Sequence, residues 1–123
     1  MKKVCFIQCH YTDEFSLQKD DRNPIKKLVK SKIFDHIVLG VADVKQNRDI
    51  FDDYAKLYEI DVFYGSSLDI VDRMLKICEK YDSDILSRIL INWNYLDIEL
   101  VEGMVQFCES IDDFDYCMLP FDF

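Results

Sequence analysis

A chain of 123 residues, half of them hydrophobic and 32% charged, has the length of one domain with a real core and too little for a second. Its 24 acidic and 15 basic side chains give a net charge of −9 at pH 7, which argues against nucleic acid or an anionic membrane as partner, since both demand clustered Lys and Arg. No stretch approaches the about 18 consecutive apolar residues of a membrane span, and Met1-Lys2-Lys3 leads into a short strand-like run rather than a signal-peptide core, so a cytoplasmic location is expected.

Residues 4–9 form a β-branched and aromatic run suited to a first, central strand. The pattern then collapses, and residues 10–23 read as a long polar loop of the kind that holds ligand. Asn23 is placed to cap a helix beginning at Pro24, with Ile25, Leu28 and Val29 as its apolar stripe. The basic cluster Lys26, Lys27, Lys30 and Lys32 marks one face or the end of that helix. Residues 36–41 are nearly all apolar, as expected for a parallel strand covered on both faces. Ile50, Phe51, Tyr54, Leu57 and Tyr58 follow at helical spacing.

Residues 61–64 make a brief strand closed by Gly65, and Ser66 or Ser67 is expected to cap a helix with Leu68, Val71, Leu75 and Cys78 facing inward. Residues 84–91 read as another buried strand, interrupted by Arg88, with Asn92, Trp93, Asn94 and Tyr95 as the turn after it. Asp97 then caps a helix with Ile98, Val101, Val105 and Cys108 inside, and residues 114–119 offer a last strand. Strands alternating with helices in this way predict a single α/β domain over residues 1–123, a three-layer Rossmann-like fold whose mainly parallel sheet is flanked by helices and binds ligand at its carboxyl edge.

The five cysteines, Cys5, Cys9, Cys78, Cys108 and Cys117, are odd in number, widely spaced and set among apolar residues. They read as small buried hydrophobes in a reducing compartment. Cys5, Cys9 and His10 do not make a convincing metal site, because two cysteines four apart on a strand are too distant to share one zinc and no second Cys/His pair follows. Nothing ties His10 or His36 to a thiol for nucleophilic catalysis.

Several short patterns occur in order: Phe63-Tyr64-Gly65-Ser66, Asp69-Ile70-Val71-Asp72-Arg73, Arg88-Ile89, Leu96-Asp97, Glu99-Leu100 and Phe114-Asp115-Tyr116. Together they resemble the cytidylyltransferases of spore-coat polysaccharide and acylneuraminate type over roughly the last two-thirds of the chain. The resemblance implies a shortened nucleotide-diphospho-sugar transferase fold that takes CTP or another nucleotide, joins it to a sugar acid by attack on the α-phosphate, and uses Mg2+ when active. It implies nucleotide contacts from Gln8, Lys19, Ser66, Arg73 and Arg88, with Asn92 and Asp97 nearest the metal, and leaves the catalytic residues unassigned; Asp43 joins the nucleotide contacts because it follows the second strand, where such folds place a polar residue against the ligand. A homodimer or a protein partner is also expected.

The chain departs from that family pattern in three places. The family's glycine-bearing phosphate loop is replaced by a stretch with Asp13 and Glu14 and no glycine, whereas close backbone approach to phosphate needs glycine's freedom. Asn92 stands where the family has a metal-binding aspartate, and an amide brings no charge to magnesium. The family's further C-terminal segment, with its sugar pocket and dimer contact, has no counterpart in this sequence. The departures set a transferase against two alternatives: a non-catalytic descendant serving as a protein-interaction or regulatory module, and an N-terminal fragment of a larger transferase. Bland readings stand beside the functional ones: Arg73 could pair with Asp69 or Asp72, Ser66 could be only a turn and cap, and Trp93 and Tyr95 could meet a partner rather than a base.

Overall fold

Alternation of side chains along an extended strand sorts the apolar run of β1 (Lys3–Cys9) onto two faces, Cys5, Ile7 and Cys9 on one and Val4 and Phe6 on the other. All five side chains are fully enclosed, as a central strand requires. The computed structural model describes residues 1–9, 23–93 and 95–111. Among them β1 pairs in parallel with β2 (His36–Ala42) on one side and β4 (Ile85–Leu90) on the other, and β2 pairs in parallel with β3 (Asp61–Gly65). The strand order is β3-β2-β1-β4. The expected parallel α/β fold is therefore present, and chain direction across the sheet reverses between β1 and β4.

Helices α1 (Pro24–Ser31), α2 (Lys45–Tyr58) and α4 (Ile98–Glu109) pack on the Cys5, Ile7 and Cys9 face. Ile25 and Leu28, Phe51 and Ala55, and Val101 and Val105 supply their buried contacts. Helix α3 (Ile70–Tyr81) covers the opposite face over β1, β2 and β3. This leaves Arg88 of β4 exposed on that side.

Capping accounts for where the helices start. Asn23 Oδ1 accepts from the Ile25 and Lys26 amides at 2.9 and 3.3 Å, Pro24 occupies the first turn, and the Asn23 amide donates to the Tyr58 hydroxyl at 2.6 Å, as a fully buried side chain must. Asp97 caps α4 through the Glu99 and Leu100 amides. Before α3 the expected serine cap gives way to Asp69, whose Oδ1 accepts from the Asp72 amide at 3.1 Å. Ser66 Oγ is already engaged one turn earlier by the Leu68 and Asp69 amides.

The inward face of α3 is the larger correction. Ile70, Met74, Ile77 and Tyr81 meet the sheet, while Leu68, Val71 and Leu75 are exposed and Cys78 is only half-buried. Both sets satisfy helical spacing, and the set with Arg73 between its apolar members is the one that faces inward. Val29 and Leu57 also turn outward from their expected stripes. Cys5, Cys9 and Cys108 are buried as expected, whereas Cys117, residues 114–119 and, of the loop expected over residues 10–23, residues 10–22 lie outside the described residues.

Candidate functional site

Parallel strands bring four chain segments to one carboxyl edge: Gln8 and Cys9 from β1, Ala42 and Asp43 from β2, Gly65 and Ser66 from β3, and Ile91 and Asn92 from β4. Ligands of such sheets sit where strand order reverses. Gln8 and Arg88 flank that point, and Arg88 Nε donates to Gln8 Oε1 at 2.8 Å.

Arg73 approaches from the other side of β1. It is 6% exposed, and its Nη1 donates to the Gly40 carbonyl at 3.1 Å. Its stem passes over Gly65, where a Cβ would lie 2.7 Å from Arg73 Cγ. The expected pairing with Asp69 or Asp72 does not occur: Asp72 is bridged to Lys76 at 3.1 Å and Asp69 caps the helix. Arg73 Nε is enclosed with no hydrogen-bond partner. Burial pulls the guanidinium below its ordinary pKa, so holding it there charged carries a cost.

Asp43 is occupied elsewhere. Its carboxylate accepts from Arg48 Nε at 2.8 Å, and that hydrogen bond holds it below the usual carboxylate range. Arg48 also lies 4.3 Å over the Tyr64 ring, whose hydroxyl donates to Asp52 at 2.6 Å. This surface network ties α2 to the end of β3. Its signal in sequence was Arg48 five residues after Asp43, a spacing no motif records. Burial raises the Cys9 thiol well above its ordinary value, which removes it as a nucleophile.

Of the residues expected at the site, Gln8, Arg73 and Arg88 come together on the α3 face. Ser66 lies at the adjoining turn, Asp43 is turned to Arg48, and Asn92 is exposed after β4. Lys19 falls outside the described residues. Trp93 and Tyr95 are exposed beside Asn92.

These donors do not fit magnesium. Asn92 offers a neutral amide, Asp97 Oδ1 is used by two helix amides and Asp43 by Arg48. No group of three His, Cys, Asp or Glu among the described residues is arranged to hold a metal. Asp97 acts as a cap, so Asp97→Ala is expected to cost about 1 kcal/mol in urea unfolding and Asp97→Asn, which retains a capping oxygen, no more than a few tenths.

No family model matches the chain. It is 29% identical over 92 residues to an uncharacterised protein of Methanocaldococcus jannaschii, a match covering 75% of this chain and 37% of that protein. A cytidylyltransferase from Leptospira borgpetersenii superposes with a TM-score of 0.70 at 19% identity, over 86% of this chain and 47% of the other. The fold is cytidylyltransferase-like. The chain spans less than half the length of either protein. Among the described residues, no helix is long and apolar enough to cross a membrane.

Proposed function

We propose that this chain is a nucleotide-binding domain of cytidylyltransferase type, of the spore-coat polysaccharide and acylneuraminate kind, serving sugar-nucleotide and surface-polysaccharide synthesis in the cytoplasm. The observation that carries this reading is Arg73, a buried guanidinium without a carboxylate partner among the described residues, bonded to the Gly40 carbonyl near the carboxyl end of β2 in a chain of net charge −9. A buried cation without a carboxylate partner is costly and marks a candidate functional site, and an anionic ligand would supply the missing charge. Gln8, Arg88 and Ser66 complete the binding edge.

Calorimetric titration with CTP tests the reading. Saturable binding, weakened by Arg73→Met, is the expected result; no heat at millimolar nucleotide, with or without magnesium, overturns it.

A second reading has an observation of its own. Val71 and Leu75 on α3, with Leu68 just before it, are exposed apolar side chains, as a module that meets a protein partner or a second copy would present. Light scattering separates the two, since a nucleotide-independent dimer that Val71→Asp dissolves would support the interaction module.

A further inference from the structure

Arg73 and Arg88 converge on one cross-strand pair. Arg73 donates to the carbonyl of Gly40 and Arg88 to the side chain of Gln8, and Gln8 and Gly40 are register partners on adjacent strands about 4.8 Å apart. Both guanidinium groups arrive on the α3 face, one from the helix and one from the uncovered side of β4.

Among the described residues, neither cation is in an ion pair. The ion pairs among the described residues join Lys3 to Glu109, Arg48 to Asp43 and Lys76 to Asp72, and none includes Arg73 or Arg88. Arg73 is more than nine-tenths buried, its Nε has no hydrogen-bond partner, and the guanidinium N–H groups not spent on Gly40 are the donors it has left for an acceptor. Gln8 spends its acceptor oxygen on Arg88, which leaves its amide N–H groups as the groups it can offer a ligand. Among the described residues, this edge thus offers donors and positive charge, and no carboxylate is hydrogen-bonded or ion-paired to either arginine.

A metal-assisted triphosphate needs carboxylates as well as cationic donors, because the magnesium that bridges its phosphates is held on carboxylate oxygens. A nucleoside monophosphate carries about −1.5 to −2 charges and its sugar diester about −1, which two guanidinium groups can balance through hydrogen bonds.

Resting on the nucleotide reading above, we propose that Arg73 and Arg88 hold the phosphate of a nucleotide at the monophosphate level, free or esterified to a sugar, without a divalent cation. The site is selective for the product side of a cytidylyl transfer rather than for metal-bound triphosphate.

The test titrates the protein with CMP, cytidine and CTP, each in EDTA and again in magnesium. The expected result is saturable CMP binding in EDTA that magnesium does not tighten, cytidine at least roughly tenfold weaker, and Arg88→Met and Arg73→Met each weakening CMP roughly tenfold or more. Circular dichroism on both variants separates lost binding from lost folding, and Arg88, being exposed, is the variant whose fold is least at risk.

Binding of CTP only when magnesium is present would overturn this inference and leave the nucleotide reading standing. Equal affinity for cytidine and CMP would do the same, since the arginines would then not be reading phosphate. Silence of all three ligands in both buffers would remove the nucleotide reading and this inference together.

Discussion

Gly40→Ala is expected to destabilise the protein by about 3 kcal/mol, at the upper end of what overpacking a core costs. A Cβ at this position would lie 1.7 Å from Phe6 Cε2 and 2.4 Å from Cδ2, so the Phe6 ring occupies the space that any side chain would need. Phe6 is fully enclosed on the central strand, and Gly40 is fixed on both sides by its pairing with Gln8 and Phe63. Neither backbone can retreat without opening ladder hydrogen bonds, so the ring must leave its rotamer or its pocket. Full loss of a buried phenylalanine costs about 3–5 kcal/mol, which bounds the damage from above.

The diagnostic for that account is the double variant. Phe6→Leu shortens the group that clashes, so Gly40→Ala in that background should cost at least about 1 kcal/mol less than in the parent, measured as a coupling energy from urea unfolding. A Gly40→Ala protein within about 0.5 kcal/mol of the parent would mean the ring finds another site at no cost, which is contrary to dense packing.

The same pair shows what could be read before the structure and what could not. Strands β1 and β2, the Asn23-Pro24 start of α1 and the Asp97 start of α4 are all legible, because each depends on residues within a few positions of one another. The contact of Phe6 with Gly40 spans two strands, and its trace in the sequence was a glycine inside an otherwise apolar run.

The inward face of α3 is not legible in the sequence for a related reason. Two apolar sets run along that helix, and the one selected by the sheet contains Arg73, which hydropathy assigns to solvent. Only the glycines at 40 and 65, which let Phe6 and Arg73 pass, encode the choice, and they act across 34 and 8 residues of chain respectively. The site residues Gln8, Arg73 and Arg88 were each named from resemblance to a family. Their convergence on the Gln8 and Gly40 pair is a product of strand order and register, which sequence spacing does not contain.

Arg73→Met is expected to make the protein more stable by about 1–2 kcal/mol, although it removes a hydrogen bond. The bond from Nη1 to Gly40 is charge-assisted and contributes about 1.5–3 kcal/mol. Against it stand an orphaned Nε, at about 1–3 kcal/mol, and a buried unpaired charge whose desolvation costs several kcal/mol. Methionine matches the length of the stem, has no Cβ branch to disturb the passage over Gly65, and carries neither penalty.

Thermal or urea unfolding measures the sign, and the sign matters more than the size. A stabilised Arg73→Met protein that no longer binds nucleotide would place Arg73 with groups kept for ligand at the expense of stability. A variant destabilised by more than about 1 kcal/mol would show that the Gly40 bond outweighs the desolvation, making Arg73 a structural tie between α3 and β2. Its lack of a carboxylate partner would then carry no information about an anion, and the case for the binding edge would rest on Arg88 and Gln8 alone.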